Sequence, residues 1–179
     1  AVLSARRCGG LVKSRFVLVS RWALAASRER VWELLTQPEQ WPRWWPRLES
    51  ARRTVAGAPD GTGAVTEFCW NSGLGYRVEF EVATVRVLPA CEIEGAVRGS
   101  VKGSGLWLVE PEGPGVRLTY RWDVELQRPW MRFFAPLLWP VFASRHFRVM
   151  RDGARAMAGQ LGCPSGRVEE WSSLTLRPS

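Results

Sequence analysis

The sequence predicts an α+β fold: a curved, seven-stranded antiparallel sheet wrapped around a long C-terminal helix, with two short helices after the first strand. Three observations carry this expectation. From Leu48 to Leu126 polar and apolar residues alternate with a period of two, and turn-forming stretches break the alternation at short intervals. From Val141 onward the period is helical, and one strand-like stretch, Arg15 to Ala26, precedes both regions. The gaps between strands are too short for crossover helices, so the strands must form an antiparallel meander. A sheet this wide twists and curls, and the amphipathic helix is the natural plug for its concave side.

Taken in order, residues 1–14 read as a tail whose apolar run is too short for a signal peptide. In Arg15 to Ala26, placing Arg21 in water turns Phe16, Leu18, Ser20, Trp22 and Leu24 inward. Ser27 then caps a helix over Arg28 to Thr36, with Glu29 in the first turn, where the helix dipole favours a negative charge, and Val31, Leu34 and Leu35 as its buried stripe. The segment QPEQWPRWWP, bounded by Pro38 and Pro46, suits a short helix and turn that wedges Trp41, Trp44 and Trp45 against one end of the core.

Six strands follow, at roughly 48–56, 62–70, 76–87, 91–98, 104–110 and 115–126, with RGSVKGSG (98–105) among the turns. Glu67, Arg77, Glu79, Glu81, Glu92, Glu94, Arg117, Arg121, Asp123 and Glu125 recur on alternate positions and mark a wet face. Opposite parity sends Phe68, Trp70, Tyr76, Val78, Phe80, Val82, Cys91, Ile93 and Val97 to the other face, followed by Trp107, Val116, Leu118, Tyr120, Trp122 and Val124. The long helix starts at Pro140, which suits a first helical position, after a shorter helical lead-in over 130–138 that breaks near Pro136. At 100° per residue, Val141, Phe142, Val149, Gly153, Ala156 and Met157 share one side, and Arg148, Arg151 and Arg155 the other. Residues 163–179 show no sustained period and read as a second tail, leaving one domain over 15–162.

Composition narrows the function classes. With 46% apolar residues and 11 Trp, 179 residues can build one sizeable core. The net charge of +8 comes from arginines scattered along the chain, and no basic run interleaves with aromatics, so a nucleic-acid partner is not expected. Cys8, Cys69, Cys91 and Cys163 include no CxxC pair and no nearby histidine, which argues for a reduced, cytoplasmic protein without metal or cofactor. No stretch approaches the roughly 18 apolar residues of a membrane span. Gly99, Gly103 and Gly105 precede a strand, not a helix, and so form no phosphate loop.

The element order, with SRERVWELLTQPEQWPRWWP after the first strand and RHFRVMRDGARAMAGQL in the last helix, resembles the polyketide cyclase and lipid-transport group of the START-like (SRPBCC) superfamily. Val31, Trp32, Leu34, Leu35, Pro38, Trp41, Pro42, Trp44 and Trp45 carry the resemblance, which spans residues 15 to 161. It implies the helix-grip (Bet v 1/START-like) fold and a cavity between sheet and final helix that takes a small hydrophobic ligand, such as a lipid or polyketide. Members of the group include binders and enzymes, so the fold leaves the ligand open.

The candidate ligand-binding residues are Trp22, Trp70, Tyr76, Phe80, Ile93, Trp107, Tyr120 and Trp122 from the sheet, with Phe142, His146 and Val149 from the helix. Rings this large can line a cup or fill it. His146, the only histidine, is either a core residue with one hydrogen-bond partner or a contact that orients a ligand's carbonyl or hydroxyl with Tyr76 or Tyr120. No Ser/His/Asp set, Cys/His pair or inward carboxylate stands out, so no catalytic residue is assigned. A polyketide cyclase or aromatase using the same pocket is the alternative to a binding protein, since a shaped pocket with a Tyr, His or Arg can steer an enolate. Arg145, at the edge of the helix's apolar face, either snorkels to water or reaches an anionic head group. The Arg148, Arg151 and Arg155 stripe is a solvated face, with transient membrane contact as its other reading. Oligomeric state leaves no mark in the sequence.

Overall fold

The computed structural model describes residues 13–73, 75–127 and 129–177. Its first strand, β1 (Lys13–Leu24), buries the residues that alternation selects: Phe16, Leu18, Ser20, Trp22 and Leu24 are all at most 5% exposed. Helix α1 (Arg28–Leu35) begins at Ser27, whose hydroxyl accepts the Arg30 N–H, and Val31 and Leu35 are its buried residues. A 3₁₀ turn over Pro38–Arg43 then delivers the tryptophan cluster. The meander follows as β2 (Leu48–Val55), β3 (Val65–Asn71), β4 (Arg77–Leu88), β5 (Glu92–Gly99), β6 (Val101–Glu112) and β7 (Gly115–Leu126). Helix α2 (Pro129–Leu161) crosses the sheet, and β8 (Ser165–Arg177) closes the chain.

The sheet therefore has eight strands instead of seven, in the order β2-β3-β4-β5-β6-β7-β1-β8, every pairing antiparallel. The extra strand is the stretch expected to be a tail over 163–179. It shows no period because it is an edge strand with little to bury, held by the ladder to β1 and by Arg21–Glu169 and Arg151–Glu170 ion pairs. The expected N-terminal tail lies largely outside the described residues, and β1 begins at Lys13.

Four further expectations are corrected. The backbone of α2 is helical from Pro129 through Pro136 and Pro140, with neither a break nor a late start. A proline removes one intrahelical bond, and here the turns on either side persist, so the loss stays local. In 98–105 only the Gly99–Ser100 region turns; Gly103 and Gly105 belong to β6, where a Cβ at Gly103 would stand 2.0 Å from the Asp123 carbonyl oxygen. These glycines permit close backbone approach. Asp123, expected on the wet face, is 7% exposed because the Arg15 and Arg121 guanidinium groups cover its carboxylate at 2.6 and 3.1 Å. Cys91 is exposed instead of inward, as the β4–β5 turn with Ala90 at φ 58° ends the alternation before it.

The core packs α1, the 3₁₀ turn and the C-terminal half of α2 against the sheet. Trp22, Trp41, Trp45 and Trp107 are all at most 8% exposed and meet edge to face or tilted, with centroids 5.3 to 6.4 Å apart. Trp45 ties this cluster to α2: its Nε1 donates to the Val149 carbonyl at 3.0 Å, and its ring lies where a Cβ on Gly153 would stand, 2.3 Å away. No described helix is long and apolar enough to cross a membrane.

Candidate functional site

Between the concave face of the sheet and α2 lies a cavity of about 630 Å³. Strand register builds its wall. Phe68 on β3 stands opposite Phe80 on β4, and Trp107 on β6 opposite Tyr120 on β7, so adjacent strands present rings side by side. The Trp107 and Tyr120 rings stack with centroids 4.1 Å apart, Phe80 meets Trp122 at 5.2 Å, and Phe68 meets Phe80 at 5.7 Å. Gly105 faces Trp122 across the β6–β7 ladder, and a Cβ there would come within 3.0 Å of the Tyr120 hydroxyl and 3.1 Å of Trp122. This glycine leaves room for the two rings and borders the cavity itself.

Ten of the eleven candidate residues line this space. Trp70, Tyr76, Phe80 and Ile93 border it from β3 to β5, Trp107, Tyr120 and Trp122 from β6 and β7, and Phe142, His146 and Val149 from α2. Trp22 does not; at 1% exposure it packs behind the wall, between Trp45 and Trp107. Several lining residues escape sequence reasoning. Thr66 shares the inward parity of Phe68 and is detectable on that ground, whereas Asn71 and Ser72 read only as turn residues. Trp41 and Trp45, expected in the core, occupy it and border the cavity as well.

Burial sets the chemistry of two titratable groups in the wall. It pushes the Tyr120 hydroxyl well up, so that group keeps its proton at neutral pH. The same effect pushes His146 down to about 4, leaving a neutral imidazole. Its Nε2 is buried and has no hydrogen-bond partner among the described residues. The ring as a whole is half-buried, with Phe147 edge-on at 5.6 Å. Asp60, at the outer rim, accepts from the Thr62 N–H and hydroxyl at 2.9 and 3.0 Å. Among the described residues no three His, Cys, Asp or Glu side chains converge as a metal cluster.

Solved structures with the same architecture cover most of this chain. A protein of Thermus thermophilus superposes with a TM-score of 0.68 at 17% identity, over 81% of this chain and 96% of its own. A START superfamily protein from Mycobacterium smegmatis gives 0.66 at 20% identity, covering 82% and 97%. An aromatase/cyclase from Streptomyces sp. R1128 gives 0.63 at 15% identity, covering 82% and 94%. At such identities the likeness is one of fold. No curated protein matches the sequence. The family model described as polyketide cyclase / dehydrase and lipid transport matches residues 17–162, and the chain belongs to that family.

Proposed function

We propose that the protein binds a small hydrophobic molecule, lipid or polyketide in type, in the space between sheet and α2. The observation that carries this reading is a cavity of about 630 Å³ walled largely by aromatic rings, inside the range that holds small-molecule ligands. Rings offer broad apolar contact, while Tyr76, Tyr120 and His146 supply the few polar groups that would fix orientation.

Mass spectrometry of the organic extract of freshly purified protein tests it, beside an extract of Val149→Trp. Val149 borders the cavity from α2, and a larger ring there fills the proposed site. A lipid-like compound is expected from the wild type and should be depleted from a variant that melts within about 3 °C of it, a shift worth under roughly 1 kcal/mol. Equal recovery from both proteins would place the compound elsewhere and overturn the reading. A molecule that leaves the protein chemically altered would instead support a cyclase acting in the same pocket.

A further inference from the structure

Two guanidinium groups meet at the turn between β3 and β4, and one of them, that of Arg145, borders the cavity. A Cβ built on Gly73, in the turn between β3 and β4, would lie 2.6 Å from Arg47 Nη1 and 3.3 Å from Arg145 Nη1, so both cations crowd one spot. Like charges this close repel unless an anion lies between them. Several other arginines are matched to acids: Arg15 and Arg121 with Asp123, Arg53 with Glu39, Arg77 with Glu49, Arg151 with Glu170. Arg47 and Arg145 are both half-buried, and neither has a side-chain hydrogen bond or ion pair among the described residues. Glu49, on the neighbouring strand β2, is committed to Arg77 at 2.7 Å and Asn71 at 3.1 Å.

The arrangement is held in place. Arg47 adopts φ 72°, a conformation side chains rarely take, and its carbonyl accepts the Asn71 N–H at 2.9 Å. Arg145 borders the cavity directly, next to His146, whose Nε2 has no hydrogen-bond partner among the described residues. Beyond them the walls are mostly aromatic and apolar, with Arg53, Asp60 and Thr66 among the polar exceptions. We infer that the ligand is a single-chain amphiphile with an anionic head group, its head between Arg145 and Arg47 and its chain running past His146 into the cavity. This rests on the cavity being a ligand site, and it adds the class of ligand.

The test is a fluorescence titration with cis-parinaric acid and with the alcohol of the same chain, a neutral-headed control, read by energy transfer from the tryptophans in the wall. The acid should bind about tenfold more tightly than the alcohol at low salt, and the gap should narrow as salt rises from about 20 to about 500 mM. Arg145→Gln should weaken the acid about tenfold and leave the alcohol unchanged. Arg148→Gln, an exposed arginine on the same helix, should change neither. Because Arg145→Gln removes a repulsion, it should not lower the melting temperature, which separates lost binding from lost folding. Equal affinity for acid and alcohol, or equal behaviour of the two variants, overturns this inference while the cavity reading stands. Binding of neither probe overturns both.

Discussion

The two halves of α2 differ in what they touch. From Met150 to Leu161, Met150, Ala154, Met157, Ala158 and Leu161 are all at most 4% exposed, and Trp45 is packed against the helix backbone. Toward the N-terminus, Phe133 is 80% exposed, Leu137 75% and Val141 42%, and the cavity lies beneath Phe142 and His146. One helix is thus packed on the tryptophan cluster at one end, while at the other Trp139, Ala143 and Phe147 pack on Phe16 and its neighbours and the cavity lies beside them. Small residues explain the close end: Gly153, Ala154 and Ala158 let the helix approach the tryptophan cluster.

The sharpest way to break this comparison is to remove the anchor. Trp45→Ala deletes a ring that is 3% exposed, leaves a void beside Trp22, Trp41 and Trp107, and frees the Val149 carbonyl of its indole donor. A loss of about 4 kcal/mol is expected by chemical denaturation, against under about 0.5 kcal/mol for Leu137→Ala at the exposed end. Comparable costs for the two would mean that α2 is held equally along its length.

Acid should act on the half beside the cavity. His146 folds with its proton affinity pushed down to about 4, below the roughly 6.5 of an unfolded histidine, so the unfolded chain binds the proton first. Above about pH 6.5 this group costs nothing, and stability is lost progressively as pH falls from there towards 4, by about 3 kcal/mol. Asp123 titrates outside that window: its hydrogen bond to Arg15, with help from Arg121, holds the carboxylate below its ordinary range, so its contribution is lost only on further acidification. Denaturation of wild type and His146→Phe from about pH 7 down to about pH 4 isolates the histidine. Parallel curves would mean that the imidazole is not desolvated in the folded protein.

How much of this can be read from the chain follows from what each feature depends on. Parity along a strand is local, so Phe16 to Leu24 and the rings of the meander are assignable to a face without any tertiary contact. Trp22 has the same parity as Trp107 and Tyr120, yet it fills the core while they line the cavity; that distinction depends on Trp45, which arrives from another element. The strand β8 is illegible because its partner, the free edge of β1, is distant in sequence and its own side chains bury little. Asp123 follows the wet parity of Arg121 and Glu125, and only its neighbours Arg15 and Arg121 explain its burial. The convergence of Arg47 and Arg145 likewise needs the turn at Gly73, which carries no periodic signal.

The smallest effects probe whether the anchored half has any slack. An alanine normally stabilises a helix interior by about 1 kcal/mol over glycine, so the sign of a Gly→Ala change reports the space outside the helix. At Gly159 a Cβ meets nothing within 4 Å, and Gly159→Ala should gain between about 0.5 and 1 kcal/mol. At Gly153 it would meet the Trp45 ring at 2.3 to 2.6 Å, and the ring cannot withdraw without giving up its bond to the Val149 carbonyl. Overpacking of this kind costs roughly 1–3 kcal/mol, so Gly153→Ala should be a net loss of about 1 kcal/mol despite the better helix former. Urea denaturation of the two variants beside the wild type reads both signs. Should Gly153→Ala be neutral or stabilising, Trp45 has room to move, and the close end of α2 has slack.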